Sequence, residues 1–262
     1  MRATSREVPK KGPLNDCTPD FLPEGRKMIQ SELAGDCKRG NPHPEGRMLI
    51  MRSRKIEDYK KNLKLTSEQR EILVGVLLGD AHLETQNRGR TYRVKFEQSE
   101  KHKEYLWHLY EVFKNWVLSP PQKKVVKIEN KTYVKWWFHT VSHGSFRFYA
   151  HQFYREGRKS VPRLIHRWLT PRALAYWFAD DGSRKSKDSY AVIFNTQGYE
   201  KFEVERLAKV LKEKFQLKVS LRKQKEGWQI YIHGESFPHF KELVEPYLHP
   251  SMRYKLVPPS SG

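Results

Sequence analysis

An α+β fold in which one unit is repeated within a single chain is what this sequence predicts, and three observations predict it. Helix-like and strand-like patterning follow one another in the same order twice. Each copy contains a short apolar helix ending in an aspartate, Asp80 in the first and Asp181 in the second, 101 residues apart. The composition is that of a folded body: of 262 residues, 37% are hydrophobic and 31% charged, enough for a sizeable core.

The expected organisation is an irregular segment over residues 1–60, a first half over 61–168 and a second over 169–262. The first segment is rich in proline, glycine and mixed charge and lacks periodicity, so it is expected to be disordered or an upstream extension, with Met48 and Met51 as alternative starts. Order begins at Thr66-Ser-Glu-Gln69, a capping-box pattern that opens the apolar run Ile72–Leu78. Tyr92, Val94 and Phe96 then alternate with Arg93, Lys95 and Glu97, as in a half-buried strand. A long helix is expected over Lys101–Val117, strands over Lys123–Ile128 and Tyr133–Val141, and a helix over Ser145–Tyr154. The second copy starts at Thr170-Pro171, a hydroxyl N-cap followed by proline at the first helical position. Helix Pro171–Asp180, strand Tyr190–Thr196, helix Lys201–Phe215, strand Leu217–Lys225, its hairpin partner Trp228–His233 and helix Phe237–Tyr247 complete it. Trp136, Trp137, Trp168 and Trp177 are expected in the core.

Charge narrows the partner. Fifty Lys+Arg against 30 Asp+Glu give a formal net charge of +20, which favours a polyanion because neutralised phosphates release condensed counterions. Ile72–Leu78 is far too short to span a bilayer and no basic amphipathic helix stands out, so no membrane partner is expected. No secretory signal is visible, and Asp16, Glu24, Glu32 and Asp36 weaken a mitochondrial presequence. The two cysteines, Cys17 and Cys37, form neither a disulfide scaffold nor a zinc pattern and suit a reducing compartment.

The two aspartates carry the chemistry. A helix C-terminus bears negative partial charge, so a carboxylate there calls for a compensating cation. Two such ends side by side would make a carboxylate-lined site for a divalent metal. Gly75 and Gly79 in one helix, and Ala175 and Ala179 in the other, would let the backbones approach closely. Asp-Asp-Gly after a helix is also an ordinary turn; the recurrence of the ending within a repeated unit is what separates the readings. His139 and His143, four apart, straddle an expected strand end and receive no catalytic role.

At these residues the chain resembles the LAGLIDADG homing endonucleases, in their single-chain, two-motif form. Leu174–Gly182 (LAYWFADDG) follows the motif apart from Tyr176 and Asp180, and Leu73–Ala81 (LVGVLLGDA) follows it more loosely, with Leu78 and Ala81 as departures. The stretches Trp116–Lys124 (WVLSPPQKK), Leu169–Gly182 (LTPRALAYWFADDG), Asn195–Gln197 (NTQ) and Tyr254–Leu256 (YKL) resemble intron-encoded members from mitochondrial rRNA genes. The resemblance covers about Leu65–Val257. It implies two αββαββα halves whose antiparallel sheets form a saddle over DNA, with the motif helices at the centre.

The resemblance also implies roles. Asp80 and Asp181 would bind Mg2+, with Mn2+ as substitute, assisted by backbone carbonyls of Gly79 and Asp180. Lys159 and Lys255, 96 residues apart, would lie near the metals, and Gln224, with Gln98 less securely, would order the attacking water. The implied reaction is a staggered double-strand cut in a long, non-palindromic double-stranded DNA target, made by a monomer in a mitochondrion or chloroplast. On the outward strand positions and the turns after the motif helices, Arg88, Arg90, Arg93, Lys95, Lys135, Arg184, Lys185, Lys187, Lys218, Arg222 and Gln229 are candidate DNA contacts, since a two-stranded ribbon fits the major groove. The rival readings are a maturase that binds its host intron RNA without cleaving DNA, and a non-enzymatic DNA-binding regulator.

Overall fold

The computed structural model describes residues 54–257 apart from Asn130 and Lys187. Cys17, Cys37, Met48, Met51 and nearly all of the expected irregular segment therefore lie outside the described residues. Residues 54–61 are helical, so the ordered part starts earlier than the expected boundary at 60.

The first copy comprises α1 (Ser67–Leu78), β1 (His82–Glu84), β2 (Arg93–Ser99), α2 (Lys103–Phe113), β3 (Gln122–Ile128), β4 (Lys131–His139) and α3 (Ser145–Phe153). A small hairpin, β5 (Tyr154–Arg155) and β6 (Arg158–Lys159), and the single turn α4 (Ile165–Trp168) lead onward. The second copy comprises α5 (Pro171–Asp181), β7 (Gly182–Arg184), β8 (Val192–Phe194), α6 (Lys201–Glu213), β9 (Val219–Gln224), β10 (Gly227–Ile232) and α7 (Phe237–Val244), closed by 3-10 turns that end with Pro250–Leu256. The two sheets have the same antiparallel order, β1-β2-β4-β3 and β7-β8-β10-β9. The repeated α+β architecture is thus observed.

The local signals behave as their chemistry requires. Gln69 N–H donates to Thr66 Oγ1 and Thr66 N–H to Gln69 Oε1, both at 3.1 Å, which closes the capping box of α1. Thr170 caps α5 by accepting from Ala173 N–H. In β2, Val94, Phe96 and Gln98 are buried while Arg93, Lys95 and Glu97 lie on the other face. The expected helix over Lys101–Val117 is shorter: α2 is flanked by 3-10 turns at Glu100–His102 and Lys114–Trp116. Strands β1 and β7 have three residues each, too few for alternation to announce them. They follow the two motif aspartates directly and tie each helix end to its sheet.

Helices α1 and α5 run side by side in the same direction. Thr170 Oγ1 donates to Glu71 Oε2 at one end, Gly75 packs on Ala173 and Tyr176, and Gly79 meets Asp180 at the other end. A Cβ on Gly75 would stand 2.3 Å from Ala173 O, so this crossing requires glycine. Both helices are buried nearly all round, because each faces its own sheet on one side and its counterpart on the other. Trp177 is fully buried, and Trp136 and Trp168 pack partly against the core. Trp137 departs from the expectation. It lies on the outward face of β4 opposite Glu97, stacked on His139 with ring centroids 5.5 Å apart.

Candidate active site at the paired helix ends

The C-termini of α1 and α5 meet, and the last carbonyls of each would be left without donors by the helices alone. Two lysines answer them. Lys159 Nζ, on β6, donates to Gly79 O and to Ala81 O, the latter at 3.0 Å. Lys255 Nζ, in the Pro250–Leu256 turn, donates to Ala179 O at 2.6 Å, with Phe178 O at 3.4 Å and Asp180 O at 3.5 Å. Each lysine therefore places its charge at the negative end of one motif helix. The compensation expected of a metal alone is in fact shared with these side chains. Tyr199 adds a hydrogen bond from its hydroxyl to Leu78 O at 2.8 Å.

The carboxylates crowd the same place. Asp80 is exposed, whereas Asp180 and Asp181 are half-buried. Asp80 N–H donates to Asp180 Oδ2 at 3.1 Å, so the Asp180 side chain reaches across the helix seam over Gly79. Gln98 Nε2 donates to Asp80 Oδ2 at 2.9 Å and to Asp180 Oδ1 at 3.2 Å. Burial, then the neighbouring Asp80 and Asp181 charges, push the Asp180 carboxyl well above its ordinary value. Burial, then Asp80, push Asp181 up to about 7, against the pull of Lys159 and Lys255. Desolvation holds both lysines below the usual ammonium range although the carboxylates oppose it.

Such a cluster fits a hard divalent cation. Its acceptors are oxygens, carboxylate and carbonyl, and its carboxylates repel one another without a cation. Among the described residues no group of three His, Cys, Asp or Glu side chains is set to enclose a metal unaided. That suits an ion such as Mg2+, which keeps waters and shares substrate phosphates.

The structure brings Asp80, Asp181, Lys159, Lys255, Gly79, Asp180 and Gln98 to one place. It does not bring Gln224, which is exposed at the end of β9 opposite Gly227. The nearer group in that half is Asn195, whose N–H donates to Asp181 O at 3.0 Å and whose side chain accepts from Gln229 Nε2 at 3.0 Å. In the sequence Asn195 is visible only as part of the NTQ resemblance, because one polar residue past a strand end carries no periodic signal.

The outward sheet faces hold most of the other candidates. Arg93 donates to Glu84 at 2.9 and 2.8 Å, and Lys95 and Lys135 pair with Glu97 at 3.3 and 2.8 Å. In the second sheet the Arg222 guanidinium sits 3.3 Å from the Tyr231 ring centroid. Arg88 and Arg90 are exposed on a loop that Thr85 and Asn87 hold by hydrogen bonds to Gly89 N–H and Thr91 N–H. Lys185 is exposed, Lys218 pairs with Glu235 at 2.6 Å, and Arg184 lies opposite fully buried Val192, on the inward register. Lys187 lies outside the described residues. His139 and His143 do not converge, since His143 Nε2 meets Lys60 O while His139 stacks on Trp137. No helix among the described residues is long and apolar enough to cross a membrane.

Comparison with known proteins completes the site. The LAGLIDADG DNA endonuclease family matches residues 70–240, which include both helix ends. A relative from Wickerhamomyces canadensis, described as a probable intron-encoded endonuclease, is 35% identical over 213 residues, covering 78% of this chain and 91% of its own. The DNA endonuclease I-ChuI of Chlamydomonas applanata is 32% identical over 216 residues, covering 76% of this chain and 99% of its own. Among solved structures, the homing endonuclease I-WcaI bound to its DNA recognition sequence superposes with a TM-score of 0.74 at 32% identity, covering 83% of this chain and 96% of that one. With its paired, lysine-capped motif helices over two sheets of one topology, the chain belongs to the LAGLIDADG DNA endonuclease family.

Proposed function

We propose that this protein is a site-specific homing endonuclease that makes a staggered double-strand cut in DNA, with Asp80 and Asp181 as the two metal-binding carboxylates. The observation that carries the reading is the meeting of two like helix ends, each with its own aspartate and its own capping lysine. A decayed binding scaffold has no need to retain both carboxylates together with both capping lysines.

When bound, Mg2+ would supply Lewis-acid stabilisation of the phosphate and a more acidic water. Asp80 and Asp181, with the carbonyls of Gly79 and Asp180, would hold it. Lys159 and Lys255 already lie at the helix ends and would stabilise charge developing on each scissile phosphate. Gln98, which donates to Asp80, is placed to orient water in the first half, and Asn195 beside Asp181 takes that part in the second. Sheet positions Arg93, Lys95, Lys135, Arg222 and Gln229 would face the grooves. Because the two outward faces carry different residues, the target is non-palindromic. The halves divide at 168/169, one chain supplies both sites as a monomer, and the protein acts in the organelle whose intron encodes it.

The test is cleavage of a library of intronless organellar rRNA-gene junctions, in Mg2+ and separately in Ca2+, with the ends sequenced. One Mg2+-dependent double-strand cut leaving 3′ overhangs, lost in Asp80→Asn and Asp181→Asn with affinity retained, is the expected result. Undiminished cutting by either variant would overturn the mechanism. Binding without cutting at every junction would favour the maturase reading.

A further inference from the structure

Gln98 is 7% exposed, and the two ends of its amide face different partners. Nε2 donates to Asp80 and Asp180, while Oε1 lies 3.3 Å from His102 Nδ1. His102 Nε2 lies 3.1 Å from the Tyr254 hydroxyl. The bond directions follow from donor and acceptor inventory. Carboxylates accept, so the amide nitrogen points at them and the amide oxygen at His102. An amide oxygen only accepts, so His102 Nδ1 carries the proton. In the neutral ring Nε2 then accepts, and Tyr254 O–H is its donor. These groups thus form one directed chain, from Tyr254 through His102 and Gln98 to the aspartates.

The chain links the two copies. His102 ends the Glu100–His102 turn of the first, whereas Tyr254 belongs to the C-terminal turn of the second, next to Lys255. Among the described residues the other site lacks the same device. Two residues past each aspartate, His82 pairs with Lys95 and Ser183 with Ile193; three positions further along those strands stand Gln98 and Thr196. Thr196 is fully buried and its hydroxyl donates away from Asp181, to Trp228 O at 2.8 Å.

Resting on the nuclease reading, we infer that His102 and Tyr254 are positioning residues for the Asp80 site alone. They hold the Gln98 amide in the one orientation that donates to Asp80, and they set that site from the opposite half of the chain. A buried amide with two acceptors on one side and no anchor on the other would rotate, and half of its orientations would turn an oxygen toward a carboxylate. An apolar residue at 102 removes the anchor. His102→Gln restores a donor to Gln98 Oε1.

The experiment is single-turnover cleavage of a target labelled differently on its two strands, with wild type, His102→Leu, His102→Gln and Tyr254→Phe, alongside DNA affinity in Ca2+. His102→Leu is expected to slow one strand about tenfold while the other stays within about twofold, so that nicked DNA accumulates, as for loss of one orienting contact. Tyr254→Phe slows the same strand by a smaller factor of about two to four, His102→Gln recovers most of the rate, and affinity is unchanged. In the metal-free protein the Gln98 side-chain amide resonances shift in His102→Leu and in Tyr254→Phe. Equal slowing of both strands would make the role merely structural and overturn the inference. Unshifted Gln98 resonances would overturn it independently of any cleavage. A wild type that cuts no DNA defeats the nuclease reading instead, and the resonances still report whether the strut exists.

Discussion

The two motif helix ends are built to one plan and finished differently. Lys159 reaches the end of α1 from a two-residue strand and is half-exposed, while Lys255 reaches the end of α5 from a 3-10 turn and is 8% exposed. Gly79 precedes Asp80 and offers no side chain; Asp180 precedes Asp181 and sends its carboxyl over Gly79 to the Asp80 N–H. A tandem repeat freed from symmetry can specialise its halves, and here the second half holds more of the buried charge. Breaking the resemblance at each point should therefore produce unequal effects.

The largest is expected at Lys255. Lys255→Met would strand carbonyls at the end of α5 and leave Asp180 without the cation that draws its carboxyl down. Losing a preorganised charge donor lowers the cleavage rate on the order of 10²- to 10³-fold. Lys159→Met, whose side chain is the less enclosed of the two, is expected to lose less, roughly tenfold. Rates for the two variants at saturating Mg2+ check the order, and equal losses would mean that burial does not set the difference.

Next comes Gly75. An added Cβ meets the Ala173 carbonyl at 2.3 Å and the Tyr176 Cβ at 2.9 Å, both on α5, so Gly75→Ala must push the two helices apart. Overpacking of this kind costs about 1–3 kcal/mol. For a body of this size that lowers the thermal midpoint by roughly 2–4 °C per kcal/mol. At Gly144 no described neighbour lies within 4 Å, so Gly144→Ala serves as the control and should leave the midpoint nearly unchanged.

How much of this is legible in the sequence depends on the residue. The capping box at Thr66, the Thr170-Pro171 start and the alternation of β2 are local signals, and the structure follows them, whereas the strand expected over Leu217–Lys225 is confined to Val219–Gln224. Repetition of the unit is enough to put Asp80 and Asp181 in equivalent positions. What the sequence cannot carry is direction across a seam. The motif gives Asp180 a backbone role, yet its side chain crosses to the other copy; Gln224 sits on a well-predicted strand, yet its position along it takes it away from Asp181. Trp137 reads as core because tryptophan usually is, and only the pairing with Glu97 reveals its outward register. Contacts such as His102 with Tyr254 join residues 152 apart and leave no periodic trace.

A smaller effect concerns protons. Asp181 titrates near 7 in the metal-free protein against 3.8 ordinarily, so between those values the folded state binds more protons than the unfolded chain. Stability from this group is therefore lost as pH rises from about 4 to about 7. Asp181→Asn removes that loss. In chelator, its thermal midpoint should exceed wild type at pH 8 and converge with it at pH 4. A gap that widens toward low pH would reverse the assignment.

The smallest expected effect compares the sheets. In the first sheet Arg93 pairs with Glu84, and Lys95 and Lys135 with Glu97, whereas Arg222 in the second stacks on Tyr231 without a carboxylate partner among the described residues. Burial would raise the Glu97 carboxyl, yet Lys135 and Lys95 hold it below its ordinary value, which marks a charged triad. DNA must either displace that carboxylate or use it as an acceptor, for instance for a cytosine amino group. Glu97→Gln frees two lysines for phosphates. If displacement is the rule, affinity rises a few-fold at low salt and log K against log salt steepens by about one unit per new phosphate contact. If Glu97 reads a base, affinity for the preferred target falls while that for other sequences rises. Binding isotherms on a target and a scrambled duplex at several salt concentrations separate the two, and either result shows that the halves engage DNA by different means.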